Sequence, residues 1–156
     1  MTLSQKTKYV LSLPLEKKAW LAIFLVGSLI TWLAIRIVPM RKLSSYMGHH
    51  LENRTVCIPA KKEHVLTALR MGQLMSMVGN SIPWKSKCLS QALCVKWLLN
   101  RYNISSVFYL GAAFELDQTV GMKAHAWVDA DKHTVIGGPQ HEKYKVVATF
   151  TTPKLA

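Results

Sequence analysis

The chain has 156 residues, which is enough for one compact domain with its own core and too few for two. Half of the residues are hydrophobic and 18% are charged, a balance that excludes a disordered tail. The formal net charge of +12 favours negatively charged partners, such as acidic peptides or an anionic membrane surface. We expect no nucleic-acid partner, because the chain contains no recognisable motif for reading bases.

The cysteine pattern indicates a reducing compartment. The chain has three cysteines, Cys57, Cys88 and Cys94. An odd number without CxxC spacing argues against a disulfide framework and against a structural zinc site. The neighbouring His49 and His50 are expected to be solvated surface residues and not metal ligands. The sequence therefore predicts a cytoplasmic protein with no metal and no cofactor.

The first predicted helix is the uncharged run at residues 19–35. Its 17 residues are at the lower limit for crossing a bilayer, whose core needs about 20. Trp20 and Trp32 lie near its ends, and basic residues flank it on both sides, as in membrane helices. Two interpretations stay open: a membrane span, or a helix that packs on the rest of the chain or lies on a membrane surface. We favour the second.

A proline separates this helix from the rest of the chain. Pro39 ends the helix, and residues 41–53 are predicted to form a polar connector. The connector divides the chain into an N-terminal arm with the apolar helix, residues 1–53, and a second unit, residues 54–156. Cys57 begins that unit between two aliphatic residues, and such a lone cysteine is expected to be a small buried hydrophobe.

Two further helices are predicted from apolar periodicity. In residues 61–79, apolar side chains recur at spacings of three and four, which gives a helix with one buried stripe. The next helix runs from Ser86 or Lys87 to Arg101, with Ser86 as the N-cap. Its wide apolar face predicts a helix at the centre of the domain, and Cys94 is expected to be a structural residue of this helix. The apolar face consists of Leu89, Leu93, Trp97, Ala92, Val95 and Leu99.

Strands follow the helices. Residues rich in Val, Phe, Tyr and Trp, separated by turn signals, predict four strands. They cover residues 104–113, 123–130, 133–137 and 144–150, with a tight turn at Asp131-Lys132 between the second and third. Helices first and antiparallel strands afterwards predict an α+β domain, with the central helix packed on a mostly antiparallel sheet.

The predicted elements place a thiol and an imidazole at positions suited to catalysis. Cys88 lies in the first turn of the central helix, and His125 lies on an alternating strand. A cysteine is nucleophilic as the thiolate, and its ordinary pKa of about 8.5 falls at a helix N-terminus. The free N–H groups there also stabilise an oxyanion. We therefore assign Cys88 as a candidate nucleophile and His125 as its base.

The same region resembles a known family. The resemblance rests on three stretches, WKSKCLSQAL, VFYLGAA and KAHAWVDADKHTVIGG, within residues 83–150. They resemble the leader peptidases of lasso-peptide biosynthesis, the B proteins, and among them the C-terminal protease half of the microcin-processing type. The resemblance implies a transglutaminase/papain-like core with the nucleophile at a helix N-terminus. It also implies that the cysteine attacks the leader–core amide and the histidine is the base, roles that fall on Cys88 and His125.

The third catalytic residue departs from this pattern. The resemblance implies an aspartate on the strand after the histidine, but with a tight turn Gly137 or Gly138 lies opposite His125. Asp129 shares a face with His125 but lies four residues along the strand, roughly 13 Å away. Other groups that can orient an imidazole stay open: a backbone carbonyl, Gln140, Glu115 or Asp117.

The favoured function is a cysteine peptidase that removes the leader from a ribosomally made precursor peptide. The alternatives are a transglutaminase-like acyl transferase and a membrane-associated binding protein without catalysis. The resemblance implies three partners: the precursor peptide, a separate leader-recognition protein and a ring-forming cyclase. Since the chain contains no GxxxxGK[ST] loop, any nucleotide requirement belongs to another component of the assembly.

Overall fold

The computed structural model describes residues 14–52, 54–82, 88–114 and 122–152. The helices in these ranges are α1 (Leu15–Ile37), α2 (Met40–Met47), α3 (Lys62–Gly79) and α4 (Cys88–Arg101). The strands are β1 (His49–Leu51), β2 (Ser106–Phe114), β3 (Met122–Ala130), β4 (His133–Ile136) and β5 (Lys145–Thr152), and a 3-10 helix at Pro139–Lys143 precedes β5. Four residues named above, Ser86, Lys87, Glu115 and Asp117, lie outside the described ranges.

The strands form one antiparallel sheet. Their order is β1-β5-β2-β3-β4, and every neighbouring pair runs antiparallel. The predicted tight turn joins β3 to β4, where Asp131 has a φ of 55°, a left-handed conformation that aspartate tolerates better than most residues. The predicted α+β class is confirmed.

The sheet separates two hydrophobic clusters. Successive side chains of a strand point to opposite faces, and β3 follows this rule. Ala126, Val128 and Ala130 are buried in the large core shared with the helices. Trp127, between them, is buried on the other face in a smaller cluster with Tyr109. We call these the helical face and the second face of the sheet.

A segment without regular structure covers part of the second face. The Tyr109 hydroxyl donates to the Val56 carbonyl oxygen at 2.6 Å, and Ile58 is buried against the same cluster. Because alternate residues of this segment turn towards the sheet, Cys57 turns away from it. The prediction of a buried Cys57 is therefore wrong: its side chain is exposed, and its Sγ donates to Asp131 Oδ1 at 3.6 Å.

The prediction that residues 41–53 form a polar connector is also wrong, because most of them fold into α2 and β1. Leu43 and Met47, one helical turn apart, are both buried in the core, so a single apolar pair is enough to anchor a short helix. β1 then pairs with β5, where His50 lies opposite Phe150, although both of its histidines are exposed as predicted. The division of the chain at residue 53 stays a prediction.

Helix α1 lies antiparallel to α4 along most of its length. At one end, Trp20 Nε1 donates to the Tyr102 hydroxyl at 2.9 Å. Towards the other end, Thr31 Oγ1, which donates to the Gly27 carbonyl oxygen of its own helix at 2.8 Å, lies 3.4 Å from the Ser90 carbonyl oxygen. The interpretation of α1 as a helix packed on the domain is thus correct for the side of α1 that contacts α4. The helix is also longer than predicted, with 23 residues.

The close approach of α1 and α4 depends on a glycine. A Cβ on Gly27 would lie 2.6 Å from Cys94 Sγ, so the missing side chain lets the two helices meet. Cys94 is buried, and this burial raises the pKa of its thiol to about 12. The predicted structural role of Cys94 is confirmed.

The buried side of α4 differs from its prediction at two neighbouring positions. Trp97 is 52% exposed, whereas Lys96 is fully buried. The Lys96 ammonium reaches the start of β2, where it donates to the Ser106 carbonyl oxygen at 2.7 Å and to Ser106 Oγ at 2.9 Å. Successive residues of an α-helix are turned by about 100° around its axis. The orientation of α4 that buries Lys96 therefore points Trp97 to solvent. Burial lowers the pKa of Lys96 to about 7.

Candidate active site

Helix α4 presents the candidate nucleophile. Cys88 is its first described residue and is half-buried, so its thiol is in reach of a substrate. The first N–H groups of an α-helix have no partner within the helix, and they carry the positive end of the helix dipole. Their position allows them to stabilise negative charge beside Cys88. α4 packs against β3, the strand that carries His125.

The candidate base is held by a backbone group. His125 Nε2 lies 2.7 Å from the Gly137 carbonyl oxygen. A carbonyl oxygen only accepts hydrogen bonds, so Nε2 carries the proton and donates it. In neutral histidine the other nitrogen, Nδ1, is then unprotonated and free to accept a proton. Of the orienting groups that the sequence left open, the backbone carbonyl is the one that falls within the described part of the chain, and it contacts the imidazole.

Gly137 has no room for the aspartate that the resemblance implies. Its φ of 112° lies in the left-handed region, which L side chains rarely adopt. A Cβ at this position would also overlap with Trp127. A carboxylate therefore cannot occupy this position on the present backbone, and the carbonyl takes the orienting contact instead.

Aromatic rings surround the imidazole on the second face of the sheet. His125 stacks on Tyr144, with ring centres 4.9 Å apart, and on Trp127 at 6.0 Å. Trp127 in turn stacks on Tyr109 at 5.2 Å and contacts His141 at 5.5 Å. We call these five residues the aromatic cluster. They fix the plane of the imidazole in addition to the hydrogen bond.

The cluster also determines which way His125 points. Its ring shares the second face with Trp127, whereas α4 packs with Ala126 and Val128 on the helical face. The structure thus brings together the elements that carry Cys88 and His125, but it directs the imidazole to the face that α4 does not cover. Contact between the thiol and the imidazole stays a prediction.

The remaining polar candidates are placed elsewhere. The Asp129 carboxylate is half-buried and bonds to Thr134 on the neighbouring strand; burial raises its pKa, and the bond from Thr134 opposes that change. The Gln140 side chain lies outside the described part of the structure. Among the residues that are described, no three His, Cys, Asp or Glu side chains are grouped so that they could hold a metal ion.

A cavity borders the turn that carries Cys88. It has a volume of about 190 Å³ and lies between α1 and the start of α4. The Arg36 guanidinium stacks on the Trp32 ring at 3.8 Å and donates to the Trp32 carbonyl oxygen at 3.2 Å. The lining residues are Trp32, Ile35, Arg36, Leu89 and Ser90. The sequence did not predict this contribution of α1, because the periodicity of a helix does not indicate which other helix it will meet.

Comparison with protein families gave a match that covers most of the chain. The family model of the transglutaminase-like superfamily matches residues 32–149, a range that includes Cys88, His125 and Gly137. The chain belongs to the transglutaminase-like superfamily. Members of this superfamily are usually cysteine-dependent enzymes. The match begins within α1, so Trp32 and Arg36 fall inside it. Comparison with curated proteins and with solved structures gave no match.

Proposed function

We propose that this protein is a cysteine peptidase that removes the leader from a ribosomally made precursor peptide during lasso-peptide maturation. Cys88 is the nucleophile and His125 the general base. The observation that carries the proposal is the 2.7 Å contact of His125 Nε2 with the Gly137 carbonyl, because it leaves Nδ1 free to accept a proton. Membership of the transglutaminase-like superfamily supports cysteine chemistry at this site.

The proposed reaction has two halves. His125 Nδ1 takes the proton from Cys88 Sγ, and the thiolate attacks the carbonyl carbon of the leader–core amide. The N–H groups at the start of α4 stabilise the resulting oxyanion. The imidazolium gives its proton to the leaving amine, which frees the core peptide and leaves the leader as a thioester on Cys88. Water, deprotonated by Nδ1, then releases the leader as a carboxylate.

The reaction requires the imidazole to approach the thiol. Proton transfer needs Nδ1 and Sγ within hydrogen-bond reach, and the ring now lies on the second face of the sheet. β4 pairs with β3 only from Val128 to Ala130. On the β4 side of β3, the residue beside His125 is therefore Gly137 and not a paired strand, whereas on the other side His125 pairs with β2. In the proposed reaction the two groups meet at this end of β3, past the end of β4.

The site also offers a place for the substrate. The 190 Å³ cavity borders the first turn of α4 and has apolar walls with the guanidinium of Arg36 at one side. We infer that it takes a side chain of the substrate next to the cleaved bond. The charge of +12 suits an acidic leader. The proposed partners are the precursor, a separate leader-recognition protein and a ring-forming cyclase in the cytoplasm.

The test is mass spectrometry of a candidate precursor incubated with the protein and the leader-recognition protein. Wild type and Cys94→Ala should release the leader, and Cys88→Ala should not. Cys94→Ala is the matched control because it removes a thiol from the same helix at a buried position. Cleavage that survives in Cys88→Ala would overturn the proposal.

Two other outcomes identify the alternatives. If the leader product carries a new amide in place of a free carboxylate, the chain is an acyl transferase that uses the same thioester. If Cys88 resists alkylation near neutral pH in the folded protein and no precursor is cut, a binding protein without catalysis is favoured. Peptide mapping after alkylation distinguishes Cys88 from the exposed Cys57.

A further inference from the structure

Helix α1 exposes a continuous apolar face. Its most apolar 18-residue window has a mean hydropathy of 2.0, yet only 17% of that window is buried. The exposed side chains recur at spacings of three and four, so they share one side of the helix. We call this side the outer face. It consists of Leu25, Val26, Leu29, Ile30, Leu33 and Ile37, which are between 39% and 78% exposed.

The opposite side of α1 is fixed to the domain. Trp20 and Phe24 are buried in the main core. The Trp20–Tyr102 bond and the contact of Thr31 with Ser90 place α1 against both ends of α4. If α1 crossed a bilayer, α4 would have to enter the hydrocarbon beside it, with the exposed side chain of Arg101. Charged side chains in hydrocarbon are costly. The contacts with α4 therefore favour a helix that lies parallel to a membrane surface.

The charges at the ends of α1 indicate which surface covers the outer face. Lys17 and Lys18 lie in the first turn of α1, and three further basic residues lie at or just beyond its C-terminal end, whereas Glu16 is the one acidic residue in residues 14–47. Interfaces between proteins carry polar groups among the apolar ones, but the outer face has none between Ala19 and Leu33. Apolar side chains with basic ends match a bilayer with anionic headgroups. The three basic residues at or beyond the C-terminal end of α1 are Arg36, Arg41 and Lys42.

We propose that the outer face of α1 docks this protein on an anionic lipid bilayer, with the helix parallel to the membrane plane. The apolar side chains enter the headgroup boundary while the inner side stays on α4. Because Trp32 and Arg36 of the same helix line the cavity beside Cys88, docking holds that cavity next to the membrane. The docking proposal does not depend on the proposed peptidase activity.

The experiment is flotation of the full-length protein with vesicles of phosphatidylcholine alone or with added phosphatidylglycerol. We expect binding at least tenfold tighter to the anionic vesicles and weaker binding at high salt. Ile30→Glu combined with Leu33→Glu should weaken binding by at least another tenfold. The matched control is Leu66→Glu combined with Met77→Glu, which puts the same two charges on α3 at positions that are 47% and 38% exposed, and it should bind as wild type does.

A second variant keeps the test independent of the folding of α1. Lys17→Gln with Lys18→Gln leaves the outer face unchanged and should reduce the preference for anionic vesicles. Equal binding to both vesicle types, or binding that survives Ile30→Glu with Leu33→Glu, would overturn the proposal. Protein that stays in cell membranes after alkaline carbonate extraction would instead mean that α1 spans the bilayer. A dimer that dissociates on the same double substitution would mean that a second copy covers the outer face.

Discussion

His125 Nε2 and the Gly137 carbonyl oxygen are 2.7 Å apart, so a peptide dipole stands where the family resemblance implies a carboxylate. The carbonyl performs one task of a carboxylate, since it fixes the ring and the position of the ring proton. It carries no full negative charge, however, and stabilises an imidazolium less than an aspartate would. The aromatic cluster adds a second constraint on the ring. The carbonyl thus orients the imidazole of His125 as a carboxylate would, but it stabilises the positive charge of the protonated ring less.

The first prediction concerns the glycine that supplies the carbonyl. Gly137→Ala adds a Cβ that overlaps Trp127, at a φ of 112°, so the loop must move and carry the carbonyl away from His125. We expect at least a tenfold loss of leader cleavage and a loss of at least about 2 kcal/mol in the free energy of unfolding. Cleavage assays and urea unfolding measure the two effects.

The neighbouring glycine is the control. Gly138 also has a positive φ, 66°, but an added Cβ would meet nothing within 4 Å. At a φ of 66° and a ψ of 179° the backbone strain of Gly138→Ala should cost about 1 to 3 kcal/mol, but the variant should preserve most of the activity. Equal losses in the two variants would show that strain alone, and not the position of the Gly137 carbonyl, sets the effect.

The second prediction tests whether Cys88 and His125 meet. In a background of Cys57→Ala and Cys94→Ala, the change His125→Cys leaves two thiols in the protein, at positions 88 and 125. If the end of β3 brings these positions together, a short reagent that bridges two thiols should link them within one chain, as mass spectrometry of the digested protein would detect. Val147→Cys in place of His125→Cys, at an exposed site on β5, should not be linked. Absence of the bridge at position 125 would remove His125 as the base of Cys88.

The third prediction is a pH dependence of stability caused by Lys96. Its pKa is about 7 in the folded protein and about 10.5 when exposed. Between these values the unfolded chain binds more protons, so stability rises with pH across this window. The free-energy cost of burying the amine is complete below pH 7, where it is on the order of 5 kcal/mol. It disappears as the pH approaches 10.5.

Replacing the buried lysine should remove this dependence. The melting temperature of Lys96→Met, relative to wild type, should be highest near pH 6 and fall as the pH rises to 10. Lys62→Met, which replaces an exposed lysine at the start of α3, should follow wild type at every pH. A constant difference between wild type and Lys96→Met would contradict the prediction.

The fourth prediction concerns the contact of α1 with α4. In Gly27→Ala the new Cβ lies 2.6 Å from Cys94 Sγ, so the helices or the thiol must shift. Alanine gains about 1 kcal/mol over glycine in a helix, whereas overpacking costs about 1 to 3 kcal/mol, so we expect net destabilisation. With Cys94→Ala added, the obstacle disappears and Gly27→Ala should become stabilising. A double-mutant cycle from denaturant unfolding measures this coupling; a coupling near zero would mean that the two sites do not touch.

The wrong predictions concern residues whose burial is decided by partners distant in sequence. Cys57 has aliphatic neighbours on both sides. Those neighbours, Val56 and Ile58, pack on the sheet, so Cys57 between them points away and is exposed. Trp97 has the apolar character of a core residue, yet Lys96 beside it is buried. The apolar periodicity of a sequence predicts which side chains share one side of a helix. It does not predict how much of that side other elements of the fold will cover.

The sequence by itself determined the elements and the chemical groups. Local periodicity and turn residues placed α3, α4 and four strands close to their observed bounds, because such signals act between residues a few positions apart. The same local signals put Cys88 at a helix start and His125 on a strand. Only the tertiary structure decided the contacts between them: the Gly137 carbonyl on His125, the cavity wall contributed by α1, and the exposure of the outer face. These depend on which surfaces meet after the chain folds, and a backbone carbonyl or a missing Cβ has no signature in the order of side chains.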